Sequence, residues 1–549
     1  MTVLALNTKS EEKVENASSK KESIGVVIEN EVAEKDHHEK FTEEDQEKVT
    51  IGQKTIEEVV NEIAGKPTIW SILFVIVAMS YGFSVDSLTY LTVFAGTLSY
   101  EKWECVSTLC TKLLNNSTDK TDFYTRNTLC NSNLKLNEDF IFTNDGRTSL
   151  AVDWGLFCDG EPKMSFLSSS IFAGAYVGFL VASPLFDTLG RKKVTIGAAI
   201  LTLITTIAAG FSQNYYLMVV LRFLCGVGKN ACWMGIYCWI LEFTPARMRI
   251  FMTILAYTSH GTGFLLVDMI GYYVKDWRHI FFIISTVTFL GTVPMFFVPE
   301  SPRFFLSKNK LSKAKASLER FSRYIGSPKS MAEVNLVFTP HKQNWLKQIK
   351  DFYVYPKLGI QTMLLAIVWM LTCALSYTFN FGWSKISKDF YMGYAFAAVG
   401  TILSYYLIIP VNILLGKKRG MICFLVISGF SYCIAMIDYN ISLDFTIEHL
   451  ASLVGFMTIT STYAMTNQYT GELTPTSHRG MVFCICGSFG RIGSFLGPYI
   501  QLLFTILDKR ITFGIFTVVT IICGIIITFT RDPTGKDMPE TPAELGKVK

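Results

Sequence analysis

The sequence predicts an all-α membrane protein: about twelve transmembrane helices in two six-helix pseudo-repeats, with a large exofacial loop after the first helix. Three observations predict it. Half of the 549 residues are hydrophobic and only 17% are charged, and most of that charge sits in the first 65 residues and a few short clusters. Many apolar stretches between those clusters reach the roughly 20 residues that cross ~30 Å of hydrocarbon. Two short charge-and-turn motifs recur in register in the two halves of the chain.

Residues 1–68 open the chain as a polar tail rich in Glu and Lys from Glu11 to Lys54, without an early apolar run. This composition reads as a disordered cytosolic tail rather than a secretory signal. Residues 55–64 (TIEEVVNEIA) predict a short amphipathic helix leading to the membrane. Apolar runs follow at about 69–94, 165–186, 194–212, 215–241, 250–273, 278–298, 358–381, 390–415, 421–439, 447–470, 480–506 and 511–530. The expected organisation is therefore an N-terminal bundle over 69–298 containing the loop 95–164, a linker over 299–357, a C-terminal bundle over 358–530 and a tail over 531–549.

Orientation follows from the basic clusters, because Lys and Arg concentrate in cytoplasmic loops. Arg191, Lys192 and Lys193 lie between spans 2 and 3; Arg247 and Arg249 follow span 4; Lys417, Lys418 and Arg419 precede span 9; Arg479 precedes span 11. All fall on the side of both termini and the linker, which is then cytosolic. The loop 95–164 faces the other way. It carries Cys105, Cys110, Cys130 and Cys158, an even set suited to disulfides in an oxidising compartment, with three pairings open. Overlapping glycan acceptor sequons stand at Asn115 and Asn116. The other nine cysteines lie in apolar spans and read as packing residues.

The repeat is explicit in two motifs. Residues 242–249 read EFTPARMR and residues 472–479 read ELTPTSHR; residues 187–193 read DTLGRKK and residues 413–419 read ILLGKKR. A Glu at the cytosolic end of one helix beside Arg or Lys of a neighbouring loop suggests ion pairs that hold two bundles together in one state and break in the other. The candidate gating residues are Asp187, Arg191, Glu242, Arg249, Glu472 and Arg479.

Charges within spans are costly and mark functional positions. Arg222, Gly226, Lys229, Trp233 and Tyr237 fall at helical spacing on one face of span 4, a face expected to line a polar cavity. Arg491 lies near the middle of span 11. One cation from each half near the midplane suits a carboxylate held between the repeats, with Arg offering a forked donor set. Asp86 and Asp268 sit toward the exofacial ends of spans 1 and 5, where they are either solvated or placed to attract a cationic head group. Phe172, Tyr377 and Phe379 add aromatic faces that can hold an ammonium group.

Taken together, these motifs resemble the major facilitator superfamily, in which DTLGRKK matches the loop between spans 2 and 3; Ser183 stands where that superfamily usually has Gly, and Ile413 where the second copy would have Asp. The large cysteine-bearing loop, PESPRFFL (299–306), RFLCGVG (222–228) and GRIGSFLGPY (490–499) bring the resemblance closer to the organic cation, organic anion and carnitine transporter family, over nearly all of 55–531. The loop holds fewer cysteines than that family usually has. The resemblance implies a major facilitator fold and a cavity involving Trp233, Tyr377 and Arg491. It also implies an Arg in span 11 in place of the acids found in cation-preferring members.

The expected activity is alternating-access transport of a small organic ion, zwitterionic or carboxylate-bearing, at the plasma membrane. It would couple to protons, to sodium or to exchange. An organic cation transporter and a non-transporting sensor on the same fold are the alternatives. The substrate site is expected at Lys229, Trp233, Tyr237, Tyr377 and Arg491. No Gly-rich nucleotide loop, metal spacing or catalytic triad is visible, so no cofactor, metal, nucleic acid or enzymatic activity is expected.

Overall fold

The structure is a computed structural model. It describes residues 53–54, 56–64, 88–95, 103–108, 110–111, 138–142, 147–244, 249–324, 326, 335–336, 345–386, 390–437, 447–475, 478–503, 507 and 509–532. Most of the first apolar run lies outside the described residues. So do Asp86, Asn115, Asn116 and Cys130, and the side chains of Cys105 and Arg249.

Four short strands are present: β1 (Gln53–Lys54), β2 (Trp103–Cys105), β3 (Phe140–Phe142) and β4 (Asn335–Leu336). The chain divides into two compact units. In the smaller, β1 pairs in parallel with β4. The larger holds the antiparallel β2–β3 pair and the long helices.

After α1 (Ile56–Ala64) come α2 (Glu161–Leu189), α3 (Arg191–Gly210), α4 (Tyr215–Phe243), α5 (Arg249–Tyr273) and α6 (Trp277–Thr292). The connection to the second set carries α7 (Pro302–Ser307), α8 (Leu311–Tyr324) and α9 (Trp345–Val354). Then follow α10 (Pro356–Ile386), α11 (Phe390–Leu415), α12 (Lys417–Ala435), α13 (Ile447–Leu473), α14 (Arg479–Ile500) and α15 (Lys509–Thr528). Local chemistry fixes many of the boundaries. Asn214 and Asp276 cap α4 and α6, each accepting from a backbone N–H two residues on at 2.9 Å. Ser301 caps α7 with Pro302 at its first position.

Among the described residues, nine helices are long and apolar enough to cross a membrane. Helix α13 is not one of them, although it spans 27 residues. Its sequence is rich in Thr, and several of its hydroxyls are satisfied within the helix, while those of Ser452 and Thr460 find no partner among the described residues. Thr458, Thr462, Thr466, Thr470 and Thr474 each donate to the carbonyl four residues earlier, at 2.7–2.9 Å. A ladder of this kind lowers the cost of burying a polar helix.

The two helix sets repeat one construction. Helix α2 contains Pro184 and ends at Gly190, φ +99°; α11 contains Pro410 and ends at Gly416, φ +73°. Each glycine is the single residue between two helices, and its left-handed backbone is what a side chain resists. Helix α4 packs on α2 and α3, and α10 on α13 and α14. Gly226 of α4 lies against the backbone of Ile171 and Ala175, and Gly493 of α14 against that of Met370, so a side chain at either would collide with the facing helix. The RFLCGVG and GRIGSFLGPY segments are therefore small-residue contact faces. They bring the neighbouring residues Lys229 and Arg491 to the interior. The two sets meet where α2 contacts α14 and α5 contacts α11.

Candidate functional site

An interior cavity of about 50 Å³ is lined by residues from both sets: Phe172 of α2, Lys229, Asn230 and Trp233 of α4, Tyr257 and His260 of α5, Tyr377 of α10, Tyr405 of α11, Tyr463 of α13 and Arg491 of α14. That volume has room for a few water molecules at ~10–15 Å³ each. Four of the five residues expected to contact substrate meet here: Lys229, Trp233, Tyr377 and Arg491. Lys229 Nζ donates to Thr89 Oγ1 of the helical residues 88–95, and the rings of Phe172 and Tyr377 pack edge to face at 4.7 Å. Both charged side chains are cationic, and no carboxylate belongs to the lining among the described residues.

Several expectations for this region need correction. Tyr237 is half-buried near Tyr257 but does not reach the lining. Arg222 does not line the cavity either; it is 1% exposed, and its three guanidinium nitrogens have no hydrogen-bond partner among the described residues. Asp268 is buried rather than solvated, at 5% exposure. Helical periodicity sets the face of α4 that carries Lys229 and Trp233, but Arg222, on the same face, is buried away from the cavity. Phe379 is wholly buried in an aromatic cluster with Tyr432, Phe513 and Phe516. Asn230, Tyr257, His260, Tyr405 and Tyr463 were not singled out from sequence. The one available signal was His260, an imidazole in the middle of an apolar run.

At the end of the bundle where α4 stops, the repeated motifs form two similar corners. In the first, Arg191 Nε lies 3.6 Å from Glu242 Oε1, and Arg191 Nη2 lies 3.5 Å from Asp187 Oδ1. Lys192 Nζ donates to the Phe296 carbonyl at 2.7 Å, just beyond α6. In the second, Lys417 pairs with Glu472. Lys418 Nζ donates to the carbonyls of Thr528 and Thr530 at 2.9 and 2.6 Å, at the end of α15. In both, the basic residue after the glycine meets the Glu closing a helix, and the next lysine satisfies the last carbonyls of another. These pairs lie within one helix set each. The expectation that they bridge the two sets is corrected accordingly. Arg479 opens α14.

The first corner is the richer. Glu300 of PESPRFFL accepts from the Lys192 backbone N–H at 3.0 and 3.1 Å, at the positive N-terminus of α3. The Arg191 guanidinium also lies over the Phe304 ring, 5.6 Å from its centroid. At the opposite end of the bundle, Arg147 donates to the carbonyls of Gly271 and Tyr272 at 2.5 and 2.6 Å and to Tyr391 Oη at 2.8 Å, joining α5 to α11.

With this geometry in hand, the chain can be set beside known proteins. The sugar (and other) transporter family matches residues 111–541. Mouse solute carrier family 22 member 21 is 24% identical over 73% of this chain and 72% of its own length. The rat organic cation/carnitine transporter 2 is 23% identical over 73% and 72% respectively. Among solved structures, the proton:xylose symporter XylE bound to 6-bromo-6-deoxy-D-glucose superposes with a TM-score of 0.58. It is 15% identical, over 87% of this chain and 99% of that one. The inward-open xylose transporter XylE from E. coli gives 0.57 at 14% identity, over 87% and 99% of the two chains. The all-α architecture is thus that of the major facilitator superfamily, and the relatives are transporters of small organic substrates, not enzymes. The chain belongs to the sugar (and other) transporter family, as a multi-pass membrane transporter related to the organic cation and carnitine transporters.

Proposed function

We propose that this transporter carries a small organic ion bearing a carboxylate, zwitterionic or anionic, by alternating access. The observation that carries the reading is the pair Lys229 and Arg491, drawn from opposite helix sets into one cavity without a lining carboxylate among the described residues. Lys229 and Arg491 offer charged donors, the guanidinium a forked set, to a carboxylate held between them, and Trp233 and Tyr377 leave aromatic faces for an ammonium group on the same molecule. The cavity is smaller than such a substrate, so binding requires the lining to open toward one side.

The remaining assignments rest on this reading. Residues 69–298 and 358–530 form two six-helix bundles joined by a cytosolic linker over 299–357, and both termini are cytosolic, with the protein at the plasma membrane. The ion pairs at Glu242 and Glu472 belong to the gate, together with Arg249 and Arg479. Disulfides among Cys105, Cys110, Cys130 and Cys158 staple the exofacial loop; Cys110 and Cys158 being disulfide-bonded supports this. Asn115 or Asn116 carries a glycan. A proton gradient, a sodium gradient or exchange supplies the drive.

A second reading, transport of a purely cationic amine, draws on the aromatic and tyrosine lining. Uptake of radiolabelled carnitine, glutarate and tetraethylammonium into proteoliposomes separates the two. Carnitine or glutarate should accumulate and exchange with internal unlabelled substrate. Uptake of tetraethylammonium alone establishes the cation reading instead, and binding without counterflow identifies a sensor.

A further inference from the structure

His260 lies on α5, outside the span 4 and span 11 motifs. It lines the same cavity as Lys229 and Arg491, and its Nε2 is 2.9 Å from Tyr90 Oη. Tyr90 is wholly buried and stacks on Phe264, ring centroids 4.0 Å apart. This fixes the hydroxyl and, through it, one edge of the imidazole. Histidine is the side chain that ordinarily changes charge between about pH 5 and 8.

The groups facing His260 can be named helix by helix. Residues 88–95 supply Tyr90, α4 supplies Lys229, α10 supplies Tyr377, α11 supplies Tyr405, α13 supplies Tyr463 and α14 supplies Arg491. Tyr257 lies one turn away on α5 itself. Helix α6, which also touches α5, carries Arg278 and His279 in its first turn and no titratable residue from Ile280 to Thr292. The imidazole therefore shares the cavity with two fixed cations and four tyrosines, beside Tyr90 and with no carboxylate in the lining among the described residues. A protonated His260 would be the third positive charge.

We infer that His260 is the proton-responsive specificity residue of this cavity: with its imidazole neutral the site takes a substrate with one carboxylate, and with its imidazole protonated the site prefers a dicarboxylate. The inference rests on the carboxylate reading above. The proton comes from the aqueous side to which the cavity opens and is held on the imidazole; no bond is made or broken in the substrate. A second carboxylate on the substrate can pair with the third charge. Proton and dianion binding must then help each other by the same factor, as linkage requires. Tyr90 is the positioning partner: its hydroxyl can donate to the neutral ring and must turn to accept from the protonated one.

The test uses the full chain in proteoliposomes with glutarate and carnitine as transported probes, between pH 7.5 and 6.0. A disulfonate competitor, doubly charged throughout, separates protonation of the protein from protonation of the probe. Wild-type kcat/KM for glutarate should rise about fivefold or more on acidification, with the disulfonate inhibiting correspondingly better and carnitine nearly unchanged. His260→Gln should remove the pH response of both dianions, and His260→Lys should give the low-pH preference at pH 7.5. Monodisperse elution of each variant in detergent checks its folding. A flat wild-type profile overturns the inference, as does a response that persists in His260→Gln. If tetraethylammonium alone is carried at every pH, the carboxylate reading itself has failed and the inference falls with it.

Discussion

The two corners beneath the helix sets share a plan and differ in how much charge they carry. Both place a basic residue directly after a positive-φ glycine, against a glutamate that closes a long helix. Arg191 in the first corner is shared between Glu242 and Asp187 and rests on Phe304, while Glu300 holds the next turn. Lys417 in the second has Glu472, and the position matching Asp187 is Ile413, 77% exposed. The conserved element of the duplication is thus the single ion pair across the glycine break. The additional carboxylates make the first corner redundant and leave the second dependent on one contact.

That difference orders the expected effects. Glu472→Gln leaves the Lys417 ammonium, which is 16% exposed, without its carboxylate. Both pairs are partly buried, Arg191–Glu242 rather more than Lys417–Glu472, so the difference lies in the partners that remain. Transport should fall about tenfold at unchanged surface expression. Glu242→Gln leaves Arg191 with Asp187 and Phe304, and a loss of about threefold is expected. Initial uptake rates normalised to surface-labelled protein check both, and equal losses would remove the asymmetry between the corners.

A smaller effect sharpens the comparison. Ile413→Asp places a carboxylate four residues before Lys417, as Asp187 stands before Arg191. Introduced into Glu472→Gln, it should restore uptake by about twofold, within the range for exposed pairs at this spacing. In the wild-type background it should change little. No recovery in the double variant would mean that the second corner depends on the position of its acid rather than on charge alone.

Much of this was legible in the sequence because it depends on short-range spacing. The paired motifs around Gly190 and Gly416, and Glu242 and Glu472, lie within a few residues of helix ends, and each encodes its own turn. The α4 face with Lys229 and Trp233 follows from helical periodicity, and Arg491 from a lone charge in an apolar run. Other features depend on how helices far apart in sequence rotate against one another. Tyr405 and Tyr463 reach the cavity only through the placement of α11 and α13, and nothing in their local sequence separates them from other buried tyrosines. Arg222 and Asp268 show the same limit in the opposite direction: both are charged and on plausible faces, but neighbouring helices enclose them. Helix α13 escapes a hydropathy criterion because its polar residues lower the mean, and hydropathy does not register that Thr458, Thr462, Thr466 and Thr470 bond to their own backbone.

The central claim is that charge in the cavity chooses the substrate, and Arg491 tests it most directly, since it is the cation contributed by the second helix set. Counterflow of carnitine, glutarate and tetraethylammonium should be measured in wild type and Arg491→Asp proteoliposomes at pH 7.5. The account predicts that the reversal lowers carboxylate transport at least about a hundredfold, roughly 2.7 kcal/mol at 1.36 kcal/mol per factor of ten, and that tetraethylammonium transport rises above background. Undiminished glutarate and carnitine transport in Arg491→Asp, or efficient tetraethylammonium transport by the wild type with neither carboxylate carried, would contradict it.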